Sequence, residues 1–137
     1  MTSSTSPRLA AFELMARAHT LLDLVGLGEK ADAPAGSLSY GQRKLLAFAA
    51  ALMPDPELLL LDEPAAAVNP TMINQMKEHI LALHRGGKTV LLVEHNMDVV
   101  MDISQRIVVL DHGQKIAEGP PASIRRDPGV VEAYFGR

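Results

Sequence analysis

The sequence predicts an α/β fold with a partly parallel sheet. Three observations carry that reading: two short unbroken apolar runs, ELLLLDEP and KTVLLVEH; helical periodicity before, between and after them; and a hairpin pattern, RIVVLDHGQKIAEG, near the end. Strand, helix, strand, helix is the order that builds parallel neighbours, with helices covering the sheet.

Each element follows from its residues. Leu14, Ala18, Leu21 and Val25 recur at helical spacing within Leu9 to Val25, and Gly26 and Gly28 close that helix. Glu29 to Ser37 is loop by composition. Ser39 is placed to cap a helix running to Met53, because its hydroxyl can accept an orphan backbone N–H; Pro54 and Pro56 stop it. ELLLLDEP lacks alternation, which predicts a strand covered on both faces. Asn69-Pro70 is a cap followed by a first-turn proline, and Ile73, Met76, Ile80 and Leu83 form the stripe of the helix they open. Gly86-Gly87 end it, KTVLLVEH gives the second buried strand, and a short helix spans Asn96 to Ile103. Ile107–Leu110 and Lys115–Glu118 make a hairpin turning at His112-Gly113. The tail reads as two helical pieces broken at Asp127-Pro128.

Composition narrows the function classes. The 137 residues suffice for one domain, and a net charge of −3 offers no basic field, so no nucleic-acid partner is expected. Without cysteine there are no disulfides, thiolate metal sites or cysteine nucleophiles. The histidines show no metal-ligand spacing beside a carboxylate. The longest apolar run, Leu45 to Met53, is far short of the roughly 20 residues a bilayer requires, and the Ser/Thr-rich opening lacks a secretory signal's apolar block. A cytoplasmic chain is expected.

Polar residues gather where parallel sheets bind ligands, beyond the carboxyl ends of the strands. Asp62-Glu63 end the first strand and Glu94-His95 end the second. Adjacent carboxylates at a buried strand end need a cation or proton between them. One resolution has Asp62 holding Mg²⁺ while Glu63 orients and deprotonates a water; the plainer one leaves both acids in solvent. Ser39-Tyr40-Gly41-Gln42 opens a helix, so it suits a phosphate or simply caps that helix.

The order and spacing of these pieces resemble the ATP-binding subunit of an ABC transporter. Leu38 to Gln42 matches that family's signature motif, with Tyr40 where glycine is commonest. Leu58 to Asp62 matches the Walker B strand, Glu63 the catalytic glutamate, and Ala66 to Asn69 the D-loop, with Asn69 in place of aspartate. His95 matches the switch histidine. LDEPAAAVNP, VEHNMDVVM and DPGVVEAYFG are similar to the subunits of branched-chain amino-acid uptake systems.

The resemblance implies a partial P-loop NTPase (ABC ATPase) fold: residues 1–53 as an N-terminal helix and signature helix from the helical subdomain, 54–118 as the C-terminal half of the nucleotide-binding core, and 119–137 as a helical tail. It implies ATP and Mg²⁺ as ligands of a complete site: Glu63 and His95 catalytic, Asp62 on Mg²⁺ through water, and Ser39, Tyr40, Gly41, Gln42 and Asn69 on nucleotide. It further implies transmembrane permease partners and a peripheral position at the inner face of the cell membrane.

One component does not occur in these residues: the GxxxxGKS or GxxxxGKT loop that cradles β- and γ-phosphates. Family members carry it N-terminal to the signature. The expectations are therefore a chain resembling the C-terminal half, inactive as an ATPase alone, with exposed strand edges and apolar faces that favour self-association or a missing half. The alternative is a non-catalytic module donating signature and D-loop residues in trans to a complete ABC ATPase.

Overall fold

The computed structural model describes residues 6–135. One compact unit runs through Val93 and a second begins at Glu94.

The first unit contains α1 (Pro7–Leu24), α2 (Tyr40–Leu52), β1 (Leu58–Asp62), α3 (Pro70–Arg85) and β2 (Thr89–Val93). Two short 3-10 turns, Gly28–Lys30 and Ala35–Ser37, lie in the stretch expected as loop. β1 and β2 pair in parallel, Leu58 opposite Thr89 through Asp62 opposite Val93. Leu45, Phe48, Ala49 and Leu52 of α2 and Met76 and Ile80 of α3 are buried, and the Phe48 ring stacks on His79 at 6.3 Å. Removal from water lowers the His79 pKa, against a smaller opposing pull from Glu78.

One expectation is corrected here. Among the described residues, the strands are covered on one face only. Leu59 and Leu61 are buried, whereas Leu58, Leu60, Leu91 and Val93 are 53%, 65%, 59% and 56% exposed. In-register partners of a parallel pair share a face, so these four side chains form one continuous apolar surface. An unbroken leucine run thus records a fold that covers both faces, while this unit covers one.

α1 itself has no buried residue, and Leu14 is 57% exposed, whereas Val25, the last of its stripe, and Leu27 are buried. α1 lies against α2, and a polar clamp adds to that hold. Arg17 donates to the carbonyls of Leu52 (2.7 Å) and Met53 (2.8 Å) at the end of α2, where Leu52 also accepts from Asp55 N–H (3.1 Å). Asp55 then receives Lys88 at 2.6 Å with Arg17 at 3.7 Å, and the Lys88 hydrogen bond and charge hold its pKa below the usual value.

In the second unit, α4 (Met97–Ile103) precedes the antiparallel pair β3 (Ile107–Asp111) and β4 (Gln114–Gly119), then α5 (Pro121–Ile124), α6 (Pro128–Val130) and a π turn, Val131–Phe135. His112 and Gly113 both take positive φ, 46° and 77°, as a two-residue type I′ hairpin turn requires. Val100, Ile107, Val109, Ile124 and Val130 form this unit's core. Lys115 and Arg106 grip Glu118 and bring its pKa from 4.5 to about 2.

Candidate functional site

Strand alternation decides where Asp62 stands. It follows Leu58 and Leu60 on the uncovered face of the sheet, opposite Val93. Of the two readings of the adjacent carboxylates, this chain shows the plainer one: Asp62 and Glu63 are both exposed. That face carries no covering layer to desolvate them.

Immediately after Asp62 the backbone breaks from the strand. Glu63 and Ala67 take left-handed conformations, φ 47° and 55°, at a cost of about 1–2 kcal/mol each. The Glu63 turn is tied at three points. Its N–H donates to the Val93 carbonyl (2.7 Å), and its own carbonyl accepts from Ala66 N–H (3.1 Å) and from Lys44 Nζ (2.7 Å). Strain so held marks functional turns more often than ordinary loops.

The Ser39–Gln42 turn is a reciprocal capping box. Ser39 Oγ accepts from Gln42 N–H (3.2 Å), and Gln42 Oε1 accepts from Ser39 N–H (3.0 Å). Both side chains therefore spend acceptors and keep donors: the Ser39 O–H and the Gln42 amide protons. Tyr40 and Gly41 are first-turn residues, whose N–H groups have no carbonyl within the helix. The turn is thus a preformed set of donors at a positive helix end, matched to an acceptor-only anion. Gly41 lies close to Met72: an added Cβ would meet its Sδ at 3.2 Å. Asn69 caps α3 through Met72 N–H at 2.9 Å.

In the second unit, His95 is exposed and follows Glu94, whose Oε2 accepts from the N–H groups of His95 (3.2 Å) and Asn96 (3.3 Å). Asn96 in turn caps α4 at Val99 N–H, 3.3 Å. The His95 backbone is thereby fixed by the acid before it. Among the described residues no group of three or more His, Asp or Glu converges as a metal site. Lys44 is the residue that sequence reasoning missed; only the fold brings it across to Glu63.

The model of the ABC transporter family matches residues 2–66, and that of the branched-chain amino acid ATP-binding cassette transporter C-terminal region matches 114–137. The chain belongs to the ABC transporter family. Among curated relatives, the Escherichia coli protein described as high-affinity branched-chain amino acid transport ATP-binding protein LivG is 42% identical over 130 residues, covering 94% of this chain and 51% of that protein. The Pseudomonas aeruginosa counterpart BraF is 44% identical over 125 residues, 90% of this chain and 49% of its own. The chain spans about half the length of the curated relatives it matches. Among solved structures, the ADP conformation of MJ1267, an ATP-binding cassette of an ABC transporter, matches with TM-score 0.80 and 34% identity over 98% of this chain and 58% of that one. A nucleotide-free ATP-binding cassette matches equally well, at TM-score 0.80 and 33% identity. The fold is that of an ABC ATPase cassette, in part.

Proposed function

We propose that this chain supplies the Walker B, signature, D-loop and switch residues of an ATP-binding component that powers import of branched-chain amino acids. The similarity to LivG and BraF supports that transport class. The observation that carries the mechanism is Asp62 on the uncovered sheet face with Leu58 and Leu60. A polypeptide that covers those leucines also comes to lie beside the Asp62 carboxylate. That is where a phosphate-cradling loop, found nowhere in the 137 residues, has to stand.

In such an assembly Asp62 would hold Mg²⁺ through water, and the ion would supply neutralisation of phosphate charge. Glu63 orients the attacking water and takes its proton. His95 donates a hydrogen bond toward the γ-phosphate. Ser39, Tyr40, Gly41, Gln42 and Asn69 face nucleotide held by an opposing subunit. Alone the chain lacks the loop amides and lysine that stabilise transition-state charge, so its turnover is negligible. The assembly works beneath transmembrane permease subunits, at the inner face of the cell membrane. No helix among the described residues is long and apolar enough to cross a membrane itself.

The exposed, preformed capping box at Ser39–Gln42 also fits a second reading, in which the chain donates its signature turn in trans to a complete ABC ATPase. One experiment separates the two. The chain is co-expressed either with the N-terminal half of E. coli LivG or with intact LivG, and ATP hydrolysis is measured. The first reading expects hydrolysis with the half, abolished by Glu63→Gln and by Asp62→Asn. Stimulation of intact LivG alone, insensitive to Glu63→Gln and lost in Ser39→Arg, selects the second.

A further inference from the structure

We infer that Lys44 is a positioning residue that couples the signature turn to the Glu63 turn. The inference rests on the catalytic reading of Glu63 above and deepens it.

Lys44 stands one helical turn after Tyr40 on α2, and its ammonium lies 5.7 Å from the centre of the Tyr40 ring. At that separation the ring face attracts the cation. The same ammonium donates to the Glu63 carbonyl at 2.7 Å, 19 residues away in sequence. One charged group thus touches both an aromatic of the signature turn and the main chain of the Glu63 turn.

What it touches at Glu63 matters. The carbonyl is the exit of a residue at φ 47°, whose N–H is already fixed to Val93. Rotation of that peptide plane redirects the whole turn after the strand, and the Glu63 side chain with it. Ala66 N–H alone, at 3.1 Å, is a neutral and longer bond; the ammonium is the short, charge-assisted one. Tyr40 is 53% exposed, so its ring is open to a ligand that reaches the signature turn. A shift of that ring alters the hold on Lys44, and through it the angle of the Glu63 turn.

Lysine is suited to this. Its four-carbon stem spans helix to turn, and its three donors serve the carbonyl while the charge faces the ring. Arginine keeps the charge and reach. Methionine keeps the stem and loses both contacts.

The test has two readouts. In the isolated full chain, amide exchange is followed at Ala66 and Glu63, with Ile80 of α3 as internal reference. Lys44→Met is expected to speed exchange at Ala66 about tenfold with Ile80 unchanged, and Lys44→Arg to restore it. In the full chain co-expressed with the N-terminal half of E. coli LivG, Lys44→Met is expected to lower kcat for ATP about tenfold with KM unchanged, again rescued by Lys44→Arg. Unaltered Ala66 exchange in Lys44→Met overturns the inference. So does a KM effect without a kcat effect, or a loss that Lys44→Arg shares. If the unmutated pair shows no hydrolysis, the catalytic reading of Glu63 fails by itself, and the exchange data still decide whether Lys44 holds the turn.

Discussion

Two neighbouring leucines of β1 should respond very unequally to substitution. Leu59 is 4% exposed and Leu60 is 65% exposed. Leu59→Ala removes a buried side chain and leaves a cavity, for a loss of about 2–5 kcal/mol. Full burial of a leucine is worth about 1.5–3 kcal/mol. Only about a third of that is realised at Leu60, so Leu60→Ala should cost about 0.5–1 kcal/mol. The remaining two-thirds, about 1–2 kcal/mol, becomes available when another polypeptide covers the face. In affinity for that polypeptide, Leu60→Ala should therefore cost about five- to thirtyfold. Urea unfolding at constant m-value measures the first pair of numbers, and titration with the N-terminal half of E. coli LivG the last. Equal destabilisation by the two substitutions would mean that Leu60 is already covered within the folded chain, and the reasoning about an open face would be refuted.

Other outcomes follow from single contacts. Arg17→Ala leaves the Leu52 and Met53 carbonyls without their charged donor; far-ultraviolet circular dichroism should show α1 melting ahead of the rest, with a loss of about 1.5–3 kcal/mol. Ser39→Ala opens the capping box and should cost about 1 kcal/mol in urea unfolding. The pKa shifts of Glu118 and His79, like that of Asp55, give stability the same pH sign, because in each case the unfolded chain binds the proton more tightly. The Glu118 contribution is complete above pH 4.5 and disappears toward about 2, so Glu118→Gln should flatten that limb of an acid titration. The His79 contribution is complete above pH 6.5 and falls as the pH drops through its lowered folded value; His79→Phe should remove that component, with stability measured from pH 7 to 5.

Much of this fold is legible in the sequence because its punctuation is local. Ser39, Asn69-Pro70, Gly86-Gly87 and His112-Gly113 each act within a few residues, and the helices and strands begin and end beside them. Coverage is not local. The run Leu58–Leu61 reads as doubly buried because periodicity reports the hydrophobicity of a strand, whereas its exposure depends on which other elements the chain contains. The hold on α1 is likewise only partly legible: Val25 at the end of its stripe is buried, but Arg17 ties it to the end of α2 through hydrogen bonds that no periodicity announces. At the candidate site, spacing alone locates Asp62, Glu63 and Asn69. The left-handed φ of Glu63 and the reach of Lys44 arise only when α2 is laid beside the end of β1.

The central claim is that half of a nucleotide site is built here and the phosphate-gripping half is supplied by other polypeptide. The most direct measurement is a titration of a fluorescent ATP analogue, with Mg²⁺, against this chain alone and against the chain with the N-terminal half of E. coli LivG. Saturable binding that requires the added half, and weakens in Asp62→Asn, is the predicted result. Tight binding by the chain alone, unchanged by the added half, would contradict the account.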